Sequence, residues 1–229
     1  MSENALIPVD FVGGELAVQQ DTDLLTEVAK GGAFLPYLQL FTTKSDPVTE
    51  GKIPGGHYGL VRDGNITDLG KEIIAVVITV RARAFEKGDD GQVTVIFDKN
   101  DAEYQRIQAL QAENVVGCMA GPEFLFWLPN EQTFATFFCG SKTLKRESRK
   151  FSPFIAGKTM QERVAQLRVH LIDNSKYKWH GPVVNTCSST PSCLPDKEDL
   201  DEQVKKFKNP PKQKPGEKAE VNATDNVAR

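Results

Sequence analysis

The stretch Gly121–Gly140, GPEFLFWLPNEQTFATFFCG, decides how the rest of the chain is read. Two aromatic-rich runs flank Pro129-Asn130-Glu131-Gln132, a connection of the length that hairpins use, so an antiparallel hairpin is predicted over Glu123–Cys139. Phe, Trp and Thr suit a pleated surface packed on one side. The fold expected around this hairpin is mainly β with a few helices (α+β): an OB-like antiparallel barrel or sheet followed by a disordered C-terminal tail.

Working upstream, HYGLV (57–61) and the β-branched run Ile73–Phe85 read as strands, with Asp63-Gly64 as a hairpin turn between them. The second half of the run alternates. Val80, Ala82 and Ala84 fall on one face, and Thr79, Arg81, Arg83 and Phe85 on the other. In FLPYLQLF (34–41), Pro36 permits only an edge strand or the start of one. Gly88–Gly91 turns the chain into VTVIF (93–97), and DAEYQRIQALQAE (101–113) is helical, capped by Asp101, with Ile107 and Leu110 on one side.

Working downstream, SKTLKRESRKF (141–151) predicts a basic helix capped by Ser141, with Leu144 and Phe151 turned to the core. Thr159–Glu162 is a capping-box pattern. RVAQLRVHLID and KYKWHGPVV, joined through DNSK (173–176), form a final hairpin over roughly Gln166–His180. Three segments follow: a weakly ordered N-terminal arm with a short helix (1–33), a β-rich nucleic-acid-binding domain (34–194) and a disordered polar tail (195–229). The tail is assigned because Asp196–Arg229 carries eight acids, eight bases and a single aromatic, Phe207, too little apolar surface to offset ordering entropy.

Charge distribution points to function more than total charge does. From Ser141 to Trp179 there are ten Lys and Arg against Glu147, Glu162 and Asp173, a local net of +7 in a chain whose net is −3. One basic stretch in an acidic chain suits a polyanion.

Catalytic and cofactor motifs are missing from the sequence. There is no G-x-S-x-G, no phosphate-cradling glycine loop, and none of His57, His170 and His180 stands in a zinc-protease context. Cys118, Cys139, Cys187 and Cys193 read as ordinary reduced thiols, since C-x₅-C at Cys187 and Cys193 lacks the short spacing of structural zinc. No enzyme activity, cofactor or metal is therefore expected. The longest apolar run, Ile73–Val80, is well short of the roughly 20 residues of a membrane span. The N-terminus lacks a secretory h-region, so the expected location is the cytoplasm.

Single-stranded nucleic acid is bound by a positive groove tracking phosphates and by aromatic rings on which bases stack. The candidate residues are Arg81, Arg83 and Phe85 on one strand, Lys142, Lys145, Arg146, Arg149 and Lys150 on the basic helix, and Lys176, Tyr177, Lys178 and Trp179 on the last strand. Phe124, Phe126 and Trp127 serve either as core or as stacking platforms.

The segments LPYLQLFTTKSDPVTEGKIPGGHYGLV (35–61), DLGKEIIAVVITVRARAF (68–85), GPEFLFWLP (121–129) and FATFFCGSKTLKRE (134–147) resemble small bacteriophage-encoded replication-module proteins of the single-stranded-DNA-binding type. The resemblance spans Phe34–Thr190. It implies a five-stranded OB barrel with a flexible tail, binding to single-stranded DNA in replication or recombination, and a place in the host cytoplasm. Implied partners are single-stranded DNA or RNA, further copies of the chain, and phage or host replication proteins, with no membrane. The tail departs from that pattern, being neutral and ending Asn226-Val227-Ala228-Arg229 where such tails are acidic and end in an aromatic. The alternative is a virion or assembly protein that packs against its own copies without reading nucleic acid.

Overall fold

The computed structural model describes residues 35–43, 45–88, 93–173, 178–186 and 191–210. The arm read over 1–33, most of the Gly88–Gly91 turn, residues 174–177 of the last connection and the tail beyond 210 lie outside the described residues. The strands are β1 (Tyr37–Phe41), β2 (His57–Arg62), β3 (Asn65–Gly70), β4 (Glu72–Lys87), β5 (Val93–Ile96), β6 (Cys118–Leu128), β7 (Thr133–Phe138), β8 (Val164–Asp173) and β9 (Lys178–Thr186). The helices are α1 (Asp46–Thr49), α2 (Ala102–Ala112), α3 (Lys142–Ser148), α4 (Ser152–Ile155) and α5 (Lys197–Lys208).

The predicted hairpin is present as β6 and β7, in register from Leu128↔Thr133 to Glu123↔Phe138. The last hairpin is β8 with β9, and both belong to one nine-stranded sheet ordered β3-β2-β1-β7-β6-β4-β8-β9, with β5 attached to β4. Strand β4, 16 residues long, is its spine. It pairs with β6 along most of its length, with β8 over Glu72–Val76 and with β5 over Ala84–Lys87. The Asp63-Gly64 turn joins β2 to β3, with both residues at positive φ (49° and 77°), the twist a two-residue hairpin requires.

The sheet is mixed and open, which corrects the OB-like antiparallel barrel. β1 runs parallel to β7, at Tyr37↔Thr136, and β3 and β9 end the ladder without pairing to each other. Pro36 precedes β1 rather than interrupting it, so the strand lies inside the sheet, and the Pro36 carbonyl accepts from Thr136 N. The sheet rolls without closing: the Tyr58 hydroxyl of β2 reaches the Arg168 carbonyl of β8 at 3.4 Å.

The concave face carries the main core, where Leu38, Tyr58, Val77, Phe124, Phe126, Phe137 and Leu167 pack together. Phe151, in the 3-10 turn after α3, and Phe154, in α4, plug it, with Phe124 and Phe151 rings 4.7 Å apart. On the same face Ala84, Cys118 and Ala120 receive Tyr104 and Ile107 of α2, whose first turn is capped by Asp101 accepting from Glu103 N. The opposite face carries Val76, Ile78, Leu125, Trp127 and Phe134 under α5.

Helix α5 corrects the reading of 195–229 as disordered throughout. Leu200, Val204 and Phe207 fall at i, i+4 and i+7, one stripe, and all pack on that outer core. Glu198 and Asp199 stand in the first turn and Lys205, Lys206 and Lys208 in the last, as the helix dipole favours. Averaging composition over the whole tail hid this segment. No helix among the described residues is long and apolar enough to cross a membrane.

Candidate nucleic-acid interface

The β4 group is built as its alternation predicted, with Arg81, Arg83 and Phe85 on one face, but that face is covered. Phe85 is fully buried against Met119 and Phe138 and cannot stack on a base, which removes it from the interface. Arg83 is only 5% exposed, and its Nη1 donates to Glu123 Oε1 at 2.6 Å. Arg81 donates from Nε to Glu123 Oε2 at 2.6 Å and from Nη1 to the Phe207 carbonyl. Its guanidinium lies between two rings, 3.8 Å from the Phe97 centroid and 4.2 Å from that of Phe207. Both arginines therefore serve the packing of α5 and β6 rather than phosphate.

The alternative left open for the hairpin aromatics is settled by burial. Phe124 and Phe126 lie in the concave core and Trp127 beneath α5, its Nε1 donating to the Cys193 carbonyl at 3.1 Å, so the hairpin aromatics are core. Sequence reasoning missed Glu123, which organises both arginines. Its signal was present: a lone carboxylate in an aromatic strand must be paired to be buried.

The α3 group is different. Ser141 caps the helix by accepting from Leu144 N at 3.2 Å, and Leu144 packs on the core, so the cations turn outward. Lys142, Arg146, Arg149 and Lys150 are exposed. Lys150 reaches Glu147 at 2.5 Å and Arg146 lies 3.6 Å from it, leaving the helix strongly positive. Lys145 is half-buried and donates to Gln111 Oε1 at 2.5 Å. Gln111 in turn donates to the Gly140 carbonyl and accepts from Ala120 N, so Lys145 ties α3 to α2 and the sheet. Gly121 permits that approach, since a Cβ there would collide with the Cys139 carbonyl and lie 3.1 Å from Lys145 Cε.

Helix α3 packs beside β9, the terminal strand, with Thr143 facing the Gly181 position. Two residues before that glycine stands Trp179, half-buried, opposite Ile172 of β8. Lys178 opens β9, while Lys176 and Tyr177 lie outside the described residues. The structure thus places α3 beside the strand that bears Trp179 and sets the β4 group apart.

Among the described residues no group of three or more His, Cys, Asp or Glu side chains is arranged to hold a metal ion. Comparison with protein-family models, with curated proteins and with solved structures finds no match to this chain.

Proposed function

We propose that the protein binds single-stranded nucleic acid along α3 and β9, and that single-stranded DNA in replication or recombination is its target. The observation that carries this reading is the set of exposed cations Lys142 and Arg146 on α3 and Arg149 and Lys150 in the 3-10 turn after it, with α3 packed against the strand that bears Trp179. Phosphates would track the helix while a base stacks on the indole, the combination that sequence-tolerant single-strand binders use. The helix is only two turns long, a poor shape for entering a duplex groove.

Binding of oligonucleotides of about 20 to 30 nucleotides, followed by Trp fluorescence across a salt series, tests the reading. Affinity should fall steeply with salt through counterion release. Replacing Lys142, Arg146 and Arg149 together by Ala should flatten the log–log slope by roughly 2, at about 0.7 per lost phosphate contact on a single strand. Trp179→Ala should weaken binding at every salt concentration while leaving the slope in place. Absence of binding at low salt, where the electrostatic attraction is strongest, defeats the proposal and leaves the self-assembling structural reading in its place.

A further inference from the structure

Strands β2 and β9 are separated by five strands along the hydrogen-bonded path, yet the roll of the sheet brings their ends into contact. Gly56, at the entry to β2, lies under the imidazole of His180 on β9: a Cβ on Gly56 would fall 2.5 Å from His180 Cδ2 and 2.7 Å from Nε2. Gly56 also has φ +80°, so its backbone and its neighbour both demand glycine. His180 Nδ1 is buried and has no hydrogen-bond partner among the described residues.

The charges around this ring are arranged against a second proton. His57, adjacent to Gly56, holds Nδ1 2.9 Å from Asp68 Oδ1, so the carboxylate at the seam is already engaged. Lys71 stands at the corner between β3 and β4, its carbonyl accepting from Val169 N of β8. On β8, Asp173 shares the face of His180, while Arg168, paired with Glu72, and His170 alternate to the other face. Helix α3, packed on β9, brings Glu147, which is held by Lys150 and Arg146.

We infer that the Gly56–His180 contact is a proton-operated clasp on the rolled sheet, shut while His180 is neutral and released when the ring is protonated. An imidazolium here would bury a new N–H with no acceptor and face Lys71 and His57. Burial first, then the charges of Lys71 and His57, hold His180 below the ordinary histidine range. Because the open state takes up the proton more readily, the clasp weakens as pH falls through about 6.5, the unperturbed value, and its hold is gone below the folded-state value.

Nuclear magnetic resonance on the full chain tests the clasp between about pH 7.5 and about pH 5, the window in which histidine switches operate. His180 should titrate below the ordinary histidine value of about 6.5, and the Gly56 amide shift should follow the midpoint of His180. The protection factor of the Val169 amide should fall by about ten-fold or more on acidification, as local opening requires. In His180→Gln that protection should be independent of pH. Retention of the wild-type loss in His180→Gln, or titration of His180 at or above about 6.5, overturns the clasp. If His180→Gln does not fold, the wild-type Gly56 amide decides alone: a shift that departs from the His180 midpoint, or none, refutes it.

Discussion

Arg81 and Glu123 stand directly opposite each other on β4 and β6, and Arg81 Nε lies 2.6 Å from a carboxylate that is 1% exposed. Arg83 completes the group from the next position on the same face, at 2.6 Å from the other carboxylate oxygen. Glu123→Gln would keep the shape and leave two guanidinium groups without their counter-charge. The expected cost is about 3–5 kcal/mol, the range for breaking a buried pair by removing one partner. Urea unfolding measures it, and a loss below about 1 kcal/mol would mean that water reaches the site. Replacing all three residues by apolar ones of matching volume should be far milder, because no charge is then left buried.

Helix α5 is a structural element and not an appendage. Phe207 is only 2% exposed on the outer face and supplies both a ring beside Arg81 and the carbonyl that receives it. Phe207→Ala should cost about 3–5 kcal/mol, the usual range for an aromatic removed from a core. Thermal unfolding checks this, and an unchanged melting temperature would show that α5 does not hold the sheet.

Much of this fold is written locally in the sequence. The Asp63-Gly64 turn, the Asp101 and Ser141 caps and the Pro129–Gln132 hairpin each follow from residues within one turn of one another. Pairing partners far apart in the chain are not legible that way, so neither the parallel meeting of β1 with β7 nor the open edge could be read from strand patterns. For the candidate site, alternation correctly placed Arg81, Arg83 and Phe85 together, but period two does not say what covers a face. Phe207 of α5 covers Arg81, from a segment whose bulk composition resembled a solvated tail, while Met119 and Phe138 close over Phe85.

Cys118 offers a pH-dependent check on the concave face. Burial, with the Glu86 carboxylate 3.6 Å from Sγ, pushes the thiol up to about 11. The thiolate is the reactive form, so near pH 8 only about one thiol in a thousand is ionised, and labelling at Cys118 should be slow and rise tenfold per pH unit until near that value. Mass-spectrometric mapping of iodoacetamide adducts in the native protein reads this site by site. Rapid alkylation of Cys118 at pH 8 would show that α2 lifts from the sheet.

The reading of α3 as a binding surface requires that its cations be dispensable to the fold, and that can be measured without any ligand. Lys142, Arg146 and Arg149 are exposed, while the cap at Ser141 and the anchor at Leu144 hold the helix in place. Surface substitutions away from such features usually fall within about 0.5 kcal/mol each, so Lys142→Ala, Arg146→Ala and Arg149→Ala combined should melt close to wild type. Ser141→Ala removes the acceptor of Leu144 N and should cost about 1 kcal/mol. Phe85→Ala opens a cavity between Met119 and Phe138, and about 3–5 kcal/mol should be lost. That order of effects, surface below cap below core, licenses reading the loss of nucleic-acid binding in the triple variant as lost phosphate contact. Were the triple variant as unstable as Phe85→Ala, the cations would be structural and α3 would forfeit its claim to the interface.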